Sequence, residues 1–223
     1  MTHQPDHQRI INALLDAYRA GAFPMGDPDT GTLDLYTAEH RGIFPLDPGA
    51  FHVPKRLTQR LNTNPFTITT DTRFEEVVHN CAKPRSEDNG VWICEPLVDL
   101  YQMLHEAGHA HSVEAIAIDP DTGIETLAGG MFGVHIGGAF LGESMFHAAP
   151  PIGTDASKAC LVHLVAHLRQ QGFTLFDTQM TNPFLERFGN TEISQEEYET
   201  MLSKAVDLEI DWAPFAPHWP DAL

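Results

Sequence analysis

Two polar side chains late in the chain, Asp177 and Gln179, stand at i and i+2 near the end of a β-type run, Phe173–Gln179. Alternation along a strand aims both at one face. An aspartate beside a glutamine can accept or orient a proton from an amine without metal or cofactor. By spacing alone the pair also reads as the solvated end of a strand. A second set has the form of a zinc peptidase. His105-Glu-Ala-Gly-His109 matches H-E-x-x-H, in which two imidazoles one helical turn apart hold zinc and the glutamate is the general base. Gly108 immediately precedes the second histidine and a β-type run starts at His111, which places His109 past the helix end. Zinc proteolysis through His105, Glu106 and His109 stands as an alternative on these terms. Gly142-Glu-Ser-Met-Phe146 ends in phenylalanine where G-x-S-x-G requires glycine, so Ser144 reads as a strand residue. The sequence holds no Walker A loop, and no G-x-G-x-x-G follows a strand. Glycines 129, 130, 133, 137, 138 and 142 lie among strands, where they serve close packing or leave backbone open to a ligand.

These residues need elements to hold them. Ile10, Ile11, Leu14, Leu15 and Tyr18 recur at helical spacing, and Gly21 supplies the stop. A turn-rich segment and a strand at Leu33–Tyr36 follow, so residues 1–50 read as a small lobe that must lean on the rest. Residues 51–223 alternate strands with helices. Strands are expected at Phe66–Thr70, His111–Ile118, 125–136 and 139–146. Helices are expected after the capping box Thr72-Arg-Phe-Glu75, from Pro96 to Gly108, from Thr154 or Asp155 to Gln171, and after a second capping box, Ser194-Gln-Glu-Glu197. Antiparallel strands with helices packed around them make an α+β domain with a mixed sheet.

Composition narrows the partners. The chain has 223 residues with 13 Lys+Arg against 31 Asp+Glu, a net charge of −18. That balance argues against a membrane-surface protein, a DNA binder or a general nucleic-acid coat, all of which use clustered basic residues. The only neutral stretch is 51–90, which carries Lys55, Arg56, Arg60, Arg73, Lys83 and Arg85. No apolar run approaches the ~20 residues that span a bilayer. The start, Met1-Thr-His-Gln-Pro-Asp, lacks the form of a signal peptide, and the three cysteines, Cys81, Cys94 and Cys160, form no CxxC pair. A reducing cytoplasm is the expected setting.

Several segments together resemble one family, the leucyl/phenylalanyl-tRNA–protein transferases. They are Leu14-Leu-Asp-Ala-Tyr-Arg-Ala-Gly-Ala-Phe-Pro24, Gly90-Val-Trp-Ile93, the run from Tyr101 to Glu114, and Gly129-Gly-Met-Phe-Gly133. Gly142-Glu-Ser-Met-Phe146, Ala156-Ser-Lys158 and Phe176-Asp-Thr-Gln179 complete the set, in order over about residues 9–205. The resemblance implies an enzyme that moves Leu or Phe, with Met as a further donor, from charged tRNA to the N-terminal amine of proteins starting with Lys or Arg. That transfer marks them for degradation by the N-end rule. It implies a small N-terminal lobe, 1–50, and a GNAT-like aminoacyltransferase domain, 51–223, without cofactor or metal. Asp177 would then orient the incoming amine, and Gln179 would assist proton relay. The aminoacyl pocket would comprise Met131, Phe140, Gly142, Met145, Leu164 and Phe176, with Glu143 at its edge. Trp92 would shape the site of the terminal adenosine, and Lys55, Arg56 and Arg60 would supply the few phosphate contacts. The chain departs from the family pattern at Met25, at Ala38 to His40, and at Phe184 and Arg187. A non-catalytic binder of basic N-termini is the further alternative.

Overall fold

The computed structural model describes residues 4–27, 29–84, 91–213, 215–216 and 218–223. Its first part holds helix α1 (Gln4–Arg19) and strands β1 (Phe23–Gly26), β2 (Leu33–Tyr36) and β3 (His40–Phe44). Then come α2 (Lys55–Leu61), β4 (Thr67–Thr70), α3 (Phe74–Cys81) and α4 (Glu95–Glu106). Three long strands follow, β5 (Ala110–Ile118), β6 (Glu125–Ile136) and β7 (Ala139–His147). The remainder is α5 (Ala156–Gln171), β8 (Leu175–Asp177), α6 (Pro183–Glu186), β9 (Thr191–Ser194) and α7 (Gln195–Val206), with a 3-10 turn at Trp219–Ala222.

Seven strands form one sheet in the order β4-β5-β6-β7-β8-β3-β9, and β1 pairs with β2 in a separate hairpin. Every neighbouring pair in the large sheet is antiparallel except β7 and β8. This is the α+β class expected. Residues 1–50 are too few to hold a core of their own, and β3 shows how they are held: it lies inside the large sheet between β8 and β9.

Two cores lie on opposite faces of the sheet. The first joins α1, α3, α4 and α7 to the sheet through Leu15, Tyr18, Val77, Leu97, Tyr101, Phe132, Leu141, Leu175 and Tyr198. The second gathers α2 and α5 over Phe44, Met131, Phe140, Leu164 and Phe176. Helix α5 is buried almost all round, from Ala156 to Leu168, because Trp212, Phe215 and Trp219 of the C-terminal segment pack against the same core. On α1 the apolar face is narrower than the spacing predicts, since Ile10 is 43% exposed.

Local signals at helix starts meet competition. Ser194 caps α7 as expected, its Oγ accepting from Glu197 N at 3.3 Å. The Thr72 capping box does not form. Arg73 holds the N-cap position of α3, and the Thr72 hydroxyl donates instead to Glu114 Oε2 at 3.0 Å. Asp155 occupies the N-cap position of α5 without capping it; its carboxylate pairs with Lys158 at 2.6 Å. In both places a charged partner outcompetes the free backbone amides. Glu114 is fully buried and also accepts from the Thr69 and Ser112 hydroxyls and from Arg73 N. It ties the β4–α3 turn to β5. Glu114→Leu would leave these donors unpaired, and urea unfolding should show a loss of about 3 kcal/mol. An unchanged midpoint would remove Glu114 from this role.

Candidate active site

Parallel pairing between β7 and β8 covers only Ala139–Leu141 against Leu175–Asp177. Strand β7 runs on to His147, whereas after Asp177 the chain leans to β3: Thr178 N donates to Gly42 O, and Gly42 N donates to Gln179 O. The two strands part there, and β7 beyond Gly142 has no β8 strand against it. A bulge falls at the same point. Phe132 faces Ser144 and Gly133 faces Gly142 across β6 and β7, so Glu143 is the extra residue.

Two positions on from Leu141 of the first core, Glu143 faces the same side. Tyr18 donates to its Oε1 at 2.8 Å and Tyr101 to its Oε2 at 2.9 Å. Gln179 Nε2 donates to Oε1 at 3.5 Å. Beside it, Asp177 is held differently. Arg41 Nε and Nη2 reach its two oxygens at 2.9 and 2.7 Å, and Tyr198 donates to Oδ2 at 2.8 Å. Gln179 N adds a fourth donor, to Oδ1 at 2.8 Å. A carboxylate offers about four lone-pair sites, and all four are taken. Arg41 is 1% exposed and Asp177 0%. The guanidinium also donates to Gly21 O at 2.8 Å, and lies 4.7 Å from the Phe23 ring and 4.3 Å from the Tyr198 ring.

Their surroundings set different electrostatics. Burial pushes the Glu143 carboxyl up to about 7, against the hydrogen bonds from Tyr18 and Tyr101 and with the Asp177 charge. Burial, reinforced by Glu143, also raises the Tyr18 and Tyr101 phenols well above their ordinary range, so both remain donors. Burial acts to lower Arg41, but the bonded Asp177 more than offsets it and the guanidinium ends raised. A carboxyl poised near 7 beside fixed donors suits proton transfer at an acyl carbonyl.

The sheet divides the residues expected to form the site. Met131, Phe140, Leu164 and Phe176 meet in the second core, with Met145 packed against them and Gly142 at the strand parting. Asp177, Gln179 and Glu143 gather on the first-core side. Gln179 stays beside Asp177 by an unforeseen route: it lies past the strand end at φ +56° and approaches through its backbone amide. Trp92 packs against the first core, its carbonyl accepting from Gly26 N at 2.9 Å. Lys55, Arg56 and Arg60 belong to α2, whose Leu57 and Leu61 pack into the second core. Arg60 sits 5.7 Å from the Phe66 ring and 3.8 Å from Asp155. Gly90 and Arg85 fall outside the described residues.

Sequence reasoning passed over Arg41, Tyr18, Tyr101 and Tyr198. Tyr18 and Tyr101 counted as apolar positions on their helices, although a phenol buried on such a face needs a partner. Arg41 carries no local signal, because its partner lies on β8.

The zinc peptidase alternative is corrected by the backbone. His105 lies in the last turn of α4, Glu106 is its final residue, and His109 follows the αL residue Gly108, φ +79°. The two imidazoles therefore do not share a helix face. His105 Nδ1 is 2.8 Å from Ala110 O, and its ring stacks on Phe74 at 4.0 Å.

Comparison with known proteins gives the class of enzyme. The profile of the family described as leucyl/phenylalanyl-tRNA protein transferase matches residues 45–203. A leucyl/phenylalanyl-tRNA–protein transferase of Hyphomonas neptunium is 45% identical over 200 residues, 89% of this chain and 73% of that one. One from Salinibacter ruber is 43% identical over 203 residues, 91% and 83% of the two chains. One from Akkermansia muciniphila is 44% identical over 194 residues, 87% and 94%. The chain is thus an aminoacyltransferase by class. It belongs to the leucyl/phenylalanyl-tRNA–protein transferase family, which leaves the non-catalytic binder without support. Among the described residues no helix is long and apolar enough to cross a membrane.

Removing one partner of a fully buried ion pair strands the other. Arg41→Met should lower unfolding free energy by about 3–5 kcal/mol, and Arg41→Met with Asp177→Leu should recover part of that loss. Additive losses in the double variant would show that the two groups act separately.

Proposed function

We propose that this chain transfers Leu or Phe from the 3′ end of charged tRNA to the N-terminal amine of proteins that begin with Lys or Arg. It would act in the cytoplasm and mark those proteins for degradation by the N-end rule. The observation that carries the mechanism is Glu143, with a pKa near 7 and two phenols on its oxygens at a parting of parallel strands.

Aminoacyl-tRNA is an activated ester, so catalysis needs placement, a base and a stabilised oxyanion. The acceptor amine attacks the ester carbonyl, and Glu143 as carboxylate takes a proton from the attacking nitrogen. The ester C–O bond then breaks, the peptide bond forms, and the proton passes to the departing ribose oxygen. The N-terminal amine ordinarily titrates at about 7.7–8.0, close enough to Glu143 for transfer in both directions. Asp177, with its lone pairs filled, acts as a positioning residue. It fixes the Gln179 backbone and so sets the Gln179 carboxamide beside Glu143.

The donor side chain would enter the second core among Met131, Phe140, Gly142, Met145, Leu164 and Phe176. Trp92 would face the terminal adenosine, and Lys55, Arg56 and Arg60 would meet phosphate. The net charge of −18 favours cationic N-termini and limits contact with bulk RNA. The parted parallel pair supports a GNAT-like reading of residues 51–223, with 1–50 as the smaller lobe.

Incubation with labelled Leu-tRNA or Phe-tRNA and a Lys- or Arg-initiated peptide should put label on the peptide. No transfer from intact charged tRNA would sink the proposal. The pH profile tests Glu143 separately. Its raised pKa favours the protonated form in the fold, so its contribution to stability is full below 4.5 and is lost as pH rises through about 7. Activity should run the other way, rising through pH 7 as the carboxylate forms. Glu143→Gln should cut kcat by at least about tenfold and remove that limb, leaving the limb of the amine near 8. A retained limb at 7 would clear Glu143 of the role.

A further inference from the structure

The inner walls of the donor pocket of the proposed function are closed: Met131, Phe140, Leu164 and Phe176 are each 5% exposed or less, with Gly142 and Met145 partly exposed at its edge. A leucyl or phenylalanyl side chain that passes Gly142 and Met145 goes deeper only if one of these four gives way. Met131 and Leu164 are built into β6 and α5, and Phe176 is braced by Phe44 at 5.3 Å between ring centroids. Phe140 lies on β7, the strand that leaves β8 just beyond it. Its ring cannot move towards β6, because its edge lies 2.6 Å from where a Cβ on Gly133 would stand. Phe176 blocks a second side, edge-on at 5.7 Å. Trp212 stands against it as well, stacked at 5.6 Å and 27°.

Trp212 belongs to the C-terminal segment and is seated by rings rather than by hydrogen bonds. His111 stacks on it at 4.3 Å and 7°, and His167 lies 4.7 Å away. Its buried Nε1 has no partner among the described residues. The backbone is tethered two residues earlier, where His135 Nε2 meets Ile210 O at 2.9 Å. Asp71 steadies His111, 2.8 Å from its Nδ1. A buried N–H left unpaired costs about 1–3 kcal/mol, so packing and not polar bonding has chosen this position for the indole.

We infer that Trp212 is a specificity-determining positioning residue: it backs Phe140 and thereby sets how large a donor side chain the pocket accepts. The inference rests on the donor pocket of the proposed function. A smaller residue at 212 lets Phe140 lean back and favours the larger donor.

The test compares Leu-tRNA with Phe-tRNA on the full chain against one acceptor peptide. Trp212→Leu should raise the kcat/KM ratio of Phe to Leu about tenfold, the low end of what one methylene in an apolar pocket is worth. The shift should come through the donor KM, with the acceptor KM unchanged, and Trp212→Phe should restore a near wild-type ratio. An unchanged ratio, or a parallel fall for both donors, overturns the inference and leaves Trp212 a packing residue. Where Trp212→Leu does not fold, His111→Ala removes the ring behind the indole and must move the ratio in the same direction; no movement overturns it equally. Wild-type protein that transfers neither donor defeats the proposed function itself, and this inference with it.

Discussion

The buried pair of Arg41 and Asp177 is the constraint on which the site depends. Two charges taken fully out of water are tolerated only when every donor and acceptor is used. Asp177 reaches that state with four donors, and Arg41 with Asp177, the Gly21 carbonyl and two aromatic faces. The cost of exposing either charge therefore locks together the end of α1, β3, β8 and α7. It also fixes Gln179, whose left-handed backbone is held by its bond to Asp177. The first 50 residues are thus part of the site and not an appendage to it.

From that follows the contrast between two neighbouring carboxylates. Asp177 faces a guanidinium, whereas among the described residues Glu143 is bonded to neutral groups, Tyr18, Tyr101 and Gln179. Phenols whose own ionisation is suppressed can donate but cannot neutralise a negative charge. Burial therefore carries Glu143 to the range where a proton can be taken and returned. Environment, not residue type, decides which carboxylate is free to move a proton. The bulge reverses the alternation after Glu143, so that Met145 faces the second core and Phe146 the first.

Long strands and amphipathic helices were legible because their signal is periodic and local. β5, β6 and β7 follow from alternation and turn residues, and α4 from Pro96 and its Leu97, Tyr101, Leu104 face. Short strands were legible only in part: β2, β4 and β8 fall where strands are expected, whereas β1, β3 and β9 do not. β3 and β9 have five and four residues and acquire strand form only by pairing with each other and with β8. Thr72 shows a capping signal overridden by a buried carboxylate 42 positions away in sequence. Asp177 and Gln179 stood out by their spacing and took their roles from family resemblance, and Glu143 was found through that resemblance alone. Arg41 and the three tyrosines that govern them were not, because what makes them functional is a partner on another element.

On the proposed site, the two faces of the sheet would let an acidic chain work on charged tRNA. One face gathers the apolar side chains of Met131, Phe140, Met145, Leu164 and Phe176; the other gathers Glu143, Asp177, Tyr18, Tyr101 and Gln179. They meet where β7 parts from β8, so an ester whose side chain lies in the second core would present its carbonyl at the parting. The amine would then come from the first-core side, where the carboxylates lie. Sorting the reactants this way relies on burial and hydrogen bonding, which salt screens little. It asks little of long-range attraction to phosphate, which a net charge of −18 would oppose. Helix α2, which carries the basic residues, packs Leu57 and Leu61 into the second core, the side proposed for the donor. The chain's overall charge and its small basic helix are then consistent with one demand: hold the end of the donor, and leave the rest of the RNA in solvent.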